Sequence, residues 1–203
     1  MALTPPLVLA SASKARLRVL RDAGLDPRVV VSGADESVEN LSTAEAVAAI
    51  AERKASAVAP QCHGTLVLGC DSLLELDGES LGKPESEAEI VNVWRRISDR
   101  QARLFTGHYL IDTRFGDRVS EVASTLIRFG SPTDQEIKTY ATSGEALELA
   151  GAFSVDGRSG PFVEGIDGSP SNVLGLSLPH LRRMLARLGL QITDLWIDNS
   201  PSR

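Results

Sequence analysis

Aromatic residues, long apolar runs and excess positive charge are all scarce in this sequence. Aromatic residues make up 4% of the 203 positions, so the core must be built mainly from Leu, Val, Ile and Ala. No segment approaches the roughly 18–20 unbroken apolar residues of a membrane span, so we expect no membrane partner. The formal charge of −6 argues against nonspecific nucleic-acid binding, which needs basic surface. Nucleotide binding stays open, because a phosphate site needs positive charge only locally.

Secretory and redox signatures are missing as well. The apolar run 7–10 is too short for a signal peptide, and Lys14 and Arg16 follow it at once. The two cysteines, Cys62 and Cys70, have neither metal-site nor redox-motif spacing. Two buried or unused thiols are therefore favoured over a disulfide. These observations predict a cytoplasmic protein.

Several catalytic motifs are absent. There is no G-x-S-x-G nucleophile motif and no G-x-G-x-x-G after a strand. Gly82-Lys83-Pro84 is not a P-loop, because Gly78 is one residue too close and Pro84 stands where a Ser or Thr would hold magnesium. The histidines lack metal-ligand spacing, so ordinary packing or surface roles are favoured for them; they are His63, His108 and His180.

Strand and helix patterns both occur along the chain, separated by turn signals. The predicted strands are 7–10, 28–32, 65–76, 103–112 and 118–129. The predicted helices are 14–23, 42–58, 86–97, one that begins near 133, and 178–188. The stretch 150–172 is rich in Gly, Ser and Pro and predicts a loop. Together they predict one α/β domain with a mixed sheet over 1–203, an ordered core of about 7–190 and a disordered tail at 199–203.

The junction between the first strand and the first helix is a candidate anion site. Ser11, Ser13, Lys14 and Arg16 place two hydroxyls and two cations beside the free N–H groups of a helix start. The alternative is a capped helix with a solvated basic face.

Carboxylates and lysines farther along could complete such a site. Asp71 ends an apolar run, where it could hold Mg²⁺ or take a proton from water; the alternative is local turn hydrogen bonding. Asp35-Glu36 is relevant only if the fold brings the pair near Asp71. Lys83 follows a turn and could point at a phosphate, whereas Lys54 could simply be solvated on its helix.

Eight groups of residues, taken in chain order, make the sequence resemble the Maf family of nucleotide pyrophosphatases, whose fold is similar to that of inosine triphosphatase. No group is specific alone, but all are in register over about residues 7–188. They are 9–13 (L-A-S-A-S) with Arg16; Asp35-Glu36; Lys54; 69–71 (G-C-D) with 82–84 (G-K-P); 106–107 (T-G); 150–153 (A-G-A-F); 162–164 (F-V-E); and G-S, N-V, G-L and a proline within 168–179.

The resemblance implies a fold, a reaction and a set of site residues. The fold is a mixed, twisted β-sheet flanked by helices, with two lobes around a deep cleft, and 150–172 becomes the wall and lid of that cleft. The reaction is hydrolysis of a nucleoside triphosphate between its α- and β-phosphates, often by a homodimer. Asp71 corresponds to the proton acceptor that activates water and, with Glu36, binds Mg²⁺ or Mn²⁺. The phosphate-binding cations are Arg16, Lys54 and Lys83, beside the hydroxyls of Ser11 and Ser13.

The sequence departs from the family pattern at its specificity positions. Members usually have S-x-S-P-R-R, but here Lys14 replaces the proline and Ala15 the first arginine. Ser72 stands where the thymidine/uridine subgroup has threonine and the 7-methylguanosine subgroup glutamine. Asp156 stands where those subgroups carry glutamine and glutamate. Ala15, Ser72 and Asp156 match neither subgroup, so the base preference stays open.

Two functions remain open from sequence. The first is a pyrophosphatase that clears non-canonical nucleotides, controls nucleotide pools or acts in division arrest. The second is a non-catalytic, nucleotide-binding regulator of septation. Retention of Asp71 and Lys83 favours the enzyme, because a pure binder has no need of a water-activating carboxylate. A phosphatase or kinase is disfavoured by the missing motifs.

Overall fold

Residues 4–197, the part of the chain that this computed structural model describes, form seven strands and six α-helices. The strands are β1 (Leu7–Leu9), β2 (Arg28–Val29), β3 (Leu66–Leu76), β4 (Glu79–Leu81), β5 (Gln101–Asp112), β6 (Asp117–Phe129) and β7 (Val163–Asp167). The α-helices are α1 (Lys14–Asp22), α2 (Thr43–Val58), α3 (Glu87–Ile97), α4 (Asp134–Ala141), α5 (Pro170–Val173) and α6 (Leu178–Arg187).

All seven of these strands belong to one mixed sheet, which confirms the predicted α/β class. Their order is β2-β1-β3-β5-β6-β7, and β4 pairs with β3 beside this path. β1 is parallel to both β2 and β3, because each connection between these strands crosses over through a helix. The remaining pairs are antiparallel, and two of them, β3–β4 and β5–β6, are joined by short hairpin turns.

Residues alternate between the two sheet faces, and each face is covered by different helices. Leu9 and Leu68 pack with α1 and α6 on one face, whereas Val8 and Val67 pack with α2 on the other. A third hydrophobic cluster surrounds Trp94 where the last residues of β3 and β6 lie beside the first residues of β5, and α3 and α4 enclose it. The scarce aromatic residues are concentrated there: three rings meet the indole edge-to-face, from Phe129, Tyr140 and Phe162. Trp94 is therefore a packing residue of this cluster.

Three helices begin at residues whose side chains cap the free backbone N–H groups. Ser42 with Glu45, and Thr133 with Glu136, form complete capping boxes in which each side chain bonds the other's backbone N–H. At Ser86 the box forms only in part. Its hydroxyl accepts from the N–H of Glu89, but the Glu89 carboxylate bonds the N–H of Glu85 instead.

Two sequence predictions were wrong in extent. The second strand covers 28–29 and not 28–32, because its partner β1 is only three residues long. The stretch 150–172 is not simply a loop, since it contains β7 and α5. β7 has too little periodicity to be recognised alone and exists because β6 pairs with it, with Ile127 opposite Ile166.

The remaining expectations concern membrane spans, the cysteines, the C-terminal tail and the division into lobes and domains. Within residues 4–197 no helix is long and apolar enough to cross a membrane. Both cysteines are buried free thiols, as expected, and burial raises the pKa of Cys70 to about 12. The tail 199–203 lies outside the described residues. The two-lobe cleft and the domain limits stay predictions.

Candidate active site

The candidate residues meet where β1 ends beside β3. β1 stops at Leu9, opposite Leu68, whereas β3 continues to Leu76. β4 joins β3 only from Leu74 onward, so Asp71 and Ser72 lie between these two partners. This is also the point where the helices change sides, with α1 on one face and α2 on the other. Open α/β sheets bind ligands at such switch points.

On the α1 face, Arg16 organises a buried cluster. Its Nη1 donates to Ser11 Oγ (3.1 Å), its Nη2 to Ser72 Oγ (3.1 Å) and its Nε to the Gly175 carbonyl (2.8 Å). The residue is only 9% exposed, which excludes the alternative of a solvated basic face at this position. We call Arg16, Ser11, Ser72 and Gly175 the Arg16 cluster.

Ser13 connects this cluster to the helix start. It is the N-cap of α1: its hydroxyl accepts from the Arg16 N–H at 3.3 Å, and its own N–H donates to Ser11 Oγ at 3.2 Å. Three of the five guanidinium N–H groups of Arg16 are used within the cluster, so two remain for an anion. A helix start beside a cation favours phosphate.

On the α2 face, two carboxylates meet one lysine. Lys54 Nζ lies 2.7 Å from Asp71 Oδ1 and 2.8 Å from Glu36 Oε1. The lysine and aspartate side chains are 8% and 10% exposed, and Glu36 is 59% exposed. We call these residues the carboxylate–lysine triad. The fold therefore brings Glu36 to Asp71, the condition under which the Asp35-Glu36 pair becomes relevant, and Lys54 is not a solvated helix residue.

Two glycines allow α2 to lie close enough for this contact. A Cβ on Gly69 would be 2.2 Å from the Ala51 carbonyl oxygen, and one on Gly107 would be 2.1 Å from that of Val47. Gly69 is on the same face of β3 as Asp71, and Gly107 is directly opposite Asp71 on β5. Only residues without a side chain fit at these positions, and the resulting approach puts Lys54 over Asp71.

The loop that carries Glu36 is held by the residue next to Lys54. Arg53 Nη1 donates to the carbonyls of Ser37 (2.6 Å) and Asp35 (3.3 Å), on either side of Glu36. Hydrogen bonds from the Ser37 hydroxyl and N–H lower the pKa of the Asp35 carboxyl. Arg53 was not singled out by sequence, because an exposed arginine on a helix carries no distinguishing signal.

Lys83 stands apart from these contacts. It follows β4, its side chain is 61% exposed, and its Nζ lies 3.2 Å from Glu148 Oε2. The structure therefore shows it in contact with neither the Arg16 cluster nor the triad, and its phosphate-binding role stays a prediction. The loop that carries Lys83 is bonded to the segment that begins at residue 150, because the Gly151 N–H donates to the Gly82 carbonyl at 2.9 Å.

The three specificity positions have different surroundings. Ser72 belongs to the Arg16 cluster and also bonds Thr106 Oγ1 at 2.9 Å. Asp156 forms an ion pair with Arg18 and accepts from the Ser154 hydroxyl. Ala15 is half-buried on α1, three residues before Arg18, so the two lie on the same side of that helix. Arg18 was not singled out by sequence as a site residue, although its position three residues after the specificity position Ala15 could have indicated it.

The histidines do not build a metal centre. The rings of His108 and His180 stack at 5.9 Å, and His108 Nε2 accepts from the Ser177 N–H at 2.8 Å. Burial lowers the pKa of His108 to about 3, so the ring is neutral. Among the described residues no group of three or more His, Cys, Asp or Glu could hold a metal ion.

Comparison with known proteins finds relatives over nearly the whole chain. The family model described as "Maf-like protein" matches residues 6–188. A Streptomyces coelicolor protein is 56% identical over 193 residues, which is 94% of this chain and 94% of that protein. Proteins from Salinispora tropica (49% identical; 94% of this chain and 87% of that protein) and Nostoc punctiforme (45%; 95% and 98%) are also similar. All three are named nucleoside triphosphate pyrophosphatase. The matched region includes every residue of the Arg16 cluster and the triad.

Proposed function

This chain belongs to the Maf-like family, and from that membership we propose that it is a nucleoside triphosphate pyrophosphatase. Water attacks the α-phosphorus of the substrate, the bond to the oxygen that bridges the α- and β-phosphates breaks, and the nucleoside monophosphate and pyrophosphate leave. The names of the relatives support this reaction. The observation that carries it is the convergence of Glu36 and Asp71 on Lys54, with the buried Arg16 bonded to the neighbouring Ser72 from the other face of β3.

The triad fits a divalent cation as cofactor. One oxygen of each carboxylate lies close to the Lys54 ammonium, at 2.7 Å for Asp71 and 2.8 Å for Glu36. The place between the two carboxylates is therefore suited to a positive charge. Mg²⁺ is commonly held by one or two carboxylates with water and substrate phosphates completing its shell, so a third acidic ligand is not required. A cation bound there would supply positive charge against the triphosphate and make a nearby water more acidic.

Asp71 is suited to accept the proton of the attacking water. Its Oδ1 is engaged by Lys54, and Oδ2 makes no side-chain hydrogen bond within the described part of the chain, so it is free to accept. β3 and the close packing of α2 hold this carboxylate in place. A positioned base of this kind contributes about 10²–10⁴ to the rate.

The cations around the carboxylates stabilise the leaving pyrophosphate. Arg16 retains two N–H groups for phosphate oxygens, and Lys54 retains one of its three. Lys83, on its exposed loop, would need to leave Glu148 to join them. We propose that Ser72, Ala15 and Asp156 with its partner Arg18 lie toward the base. The removal of non-canonical nucleotides and a link to division arrest are proposed as the cellular roles.

The test is a panel of canonical and modified nucleoside triphosphates with Mg²⁺ or Mn²⁺, in which monophosphate and pyrophosphate are quantified. The wild type should release both in equal amounts, and chelation of the metal should stop the release. Asp71→Asn should lower kcat at least about a hundredfold while its circular dichroism stays native. Asp77→Asn is the matched control, because Asp77 is on an exposed turn at φ +53°, where asparagine is tolerated.

The products also separate the alternatives. Orthophosphate in place of pyrophosphate would indicate phosphatase chemistry. Nucleotide binding without any product would favour the non-catalytic regulator. Full activity in Asp71→Asn would refute the assigned role of that carboxylate.

A further inference from the structure

We propose that Lys54 is a resident counter-ion that competes with the divalent cation for Glu36 and Asp71. The free protein then binds the cation weakly, and the cation arrives with the triphosphate. The arrival of the cation with the triphosphate rests on the proposed function, whereas the competition concerns only the protein and the cation.

The geometry makes ammonium and cation alternatives at one place. Lys54 Nζ is 2.7 Å from Asp71 Oδ1 and 2.8 Å from Glu36 Oε1. A cation ligated by the same two oxygens would lie about 2.0–2.1 Å from each, within the space that the ammonium fills. The lysine side chain is 8% exposed, so it is held over the carboxylates and does not extend into solvent.

The charges lead to the same conclusion. Two carboxylates and one ammonium sum to −1, and no group of three or more acidic, His or Cys side chains supplements them within residues 4–197. A divalent cation entering the free triad would meet a positive neighbour and at most two acidic ligands. A triphosphate changes this balance because its oxygens can bind both the cation and the displaced ammonium.

The two carboxylates differ in their freedom to respond. Asp71 is fixed in β3 and 10% exposed, whereas Glu36 lies in a segment without regular structure and is 59% exposed. Glu36 can therefore follow an arriving cation while Asp71 stays in place. Lys54 uses two of its three N–H donors on the carboxylates, and the third is available to begin the transfer toward phosphate.

The test is direct Mn²⁺ binding without nucleotide, measured by calorimetry and by the electron paramagnetic resonance signal of free Mn²⁺. Lys54→Met should bind Mn²⁺ about tenfold more tightly than the wild type, because a repelling charge is removed from two retained carboxylates. Lys54→Arg should remain weak, since it keeps the charge. Lys138→Met, on the exposed side of α4, removes a lysine charge elsewhere and should leave Mn²⁺ affinity unchanged.

Adding Glu36→Gln to Lys54→Met should abolish the tighter binding and so locate it at the triad. Lys54→Gln serves in place of the Met variant if that one fails to fold. Unchanged or weaker Mn²⁺ binding without Lys54 would overturn the proposal, and would mean that the lysine holds the carboxylates together for their other oxygens to bind the cation. Because no turnover is measured, an enzyme that hydrolyses no triphosphate would refute the proposed function without affecting this result.

Discussion

Replacing Gly107 or Gly69 by alanine should force α2 away from the sheet. The added Cβ would lie 2.1 Å from the Val47 carbonyl oxygen in the first case and 2.2 Å from that of Ala51 in the second. Ordinary contacts begin near 3.4 Å, and a backbone oxygen cannot rotate aside as a side chain can. The helix must therefore retreat by roughly 1 Å or more, and overpacking of this kind costs about 1–3 kcal/mol of stability.

The retreat should also damage the site. Lys54 is carried on α2, and its 2.7 Å contact with Asp71 would be stretched or lost. Misplacement of a catalytic group by about 1 Å can reduce the rate about a hundredfold. We therefore expect the specific activity of the folded variants to fall by far more than the loss of stability alone would explain.

Urea unfolding followed by circular dichroism measures the first effect, and pyrophosphate release at low temperature measures the second. Gly82→Ala is the matched control, because its added Cβ meets only Leu73 Cδ2, at 3.8 Å. That variant should be as stable as the wild type or slightly more so, since alanine restricts the unfolded chain. Wild-type unfolding midpoints in both Gly69→Ala and Gly107→Ala would refute the close-approach argument.

Three further perturbations test other parts of the molecule. The pKa of buried His108 is about 3, against 6.5 for a free ring, so the unfolded chain binds the extra proton as the pH falls below 6.5. Urea titrations should show about 2 kcal/mol less stability at pH 5 than at pH 8, and a smaller difference in His108→Asn. Arg53→Ala should release the loop that carries Glu36 and lower kcat/KM roughly fivefold, with partial recovery in Arg53→Lys; unchanged kinetics would exclude this clamp. Arg18→Ala frees the Asp156 carboxylate and should raise kcat/KM for 7-methylguanosine triphosphate, whose base carries a positive charge, about fivefold relative to UTP; a constant ratio would place Asp156 away from the base.

Local sequence signals predicted the elements that depend on local physics. The helices that begin near residues 42 and 133 and the strand that carries Asp71 all formed where the sequence predicted them. These features depend on neighbours three or four residues apart or on an unbroken apolar run. β7 could not be predicted from local signals, because its strand conformation depends on backbone hydrogen bonds to β6.

The site residues were identifiable one by one, but their association was not. Asp71, Glu36 and Lys54 each had an ordinary alternative in sequence, and only the family resemblance joined them. In the structure Lys54 is buried between the two carboxylates because α2 packs directly on β3 and β5, which depends on glycines in both strands. A lysine that sequence alone leaves as a solvated helix residue thus becomes a central charge of the site.

The sequence by itself determined the α/β class, most of the helices and strands, and a set of residue types suited to phosphate chemistry, because these follow from local periodicity and composition. Tertiary structure decided which charges meet. Arg16 and Lys54 lie on opposite faces of the sheet, and Arg18 contacts Asp156 from far along the chain. Such contacts depend on crossovers and on the distance between helix and sheet, and no local pattern of residues contains that information.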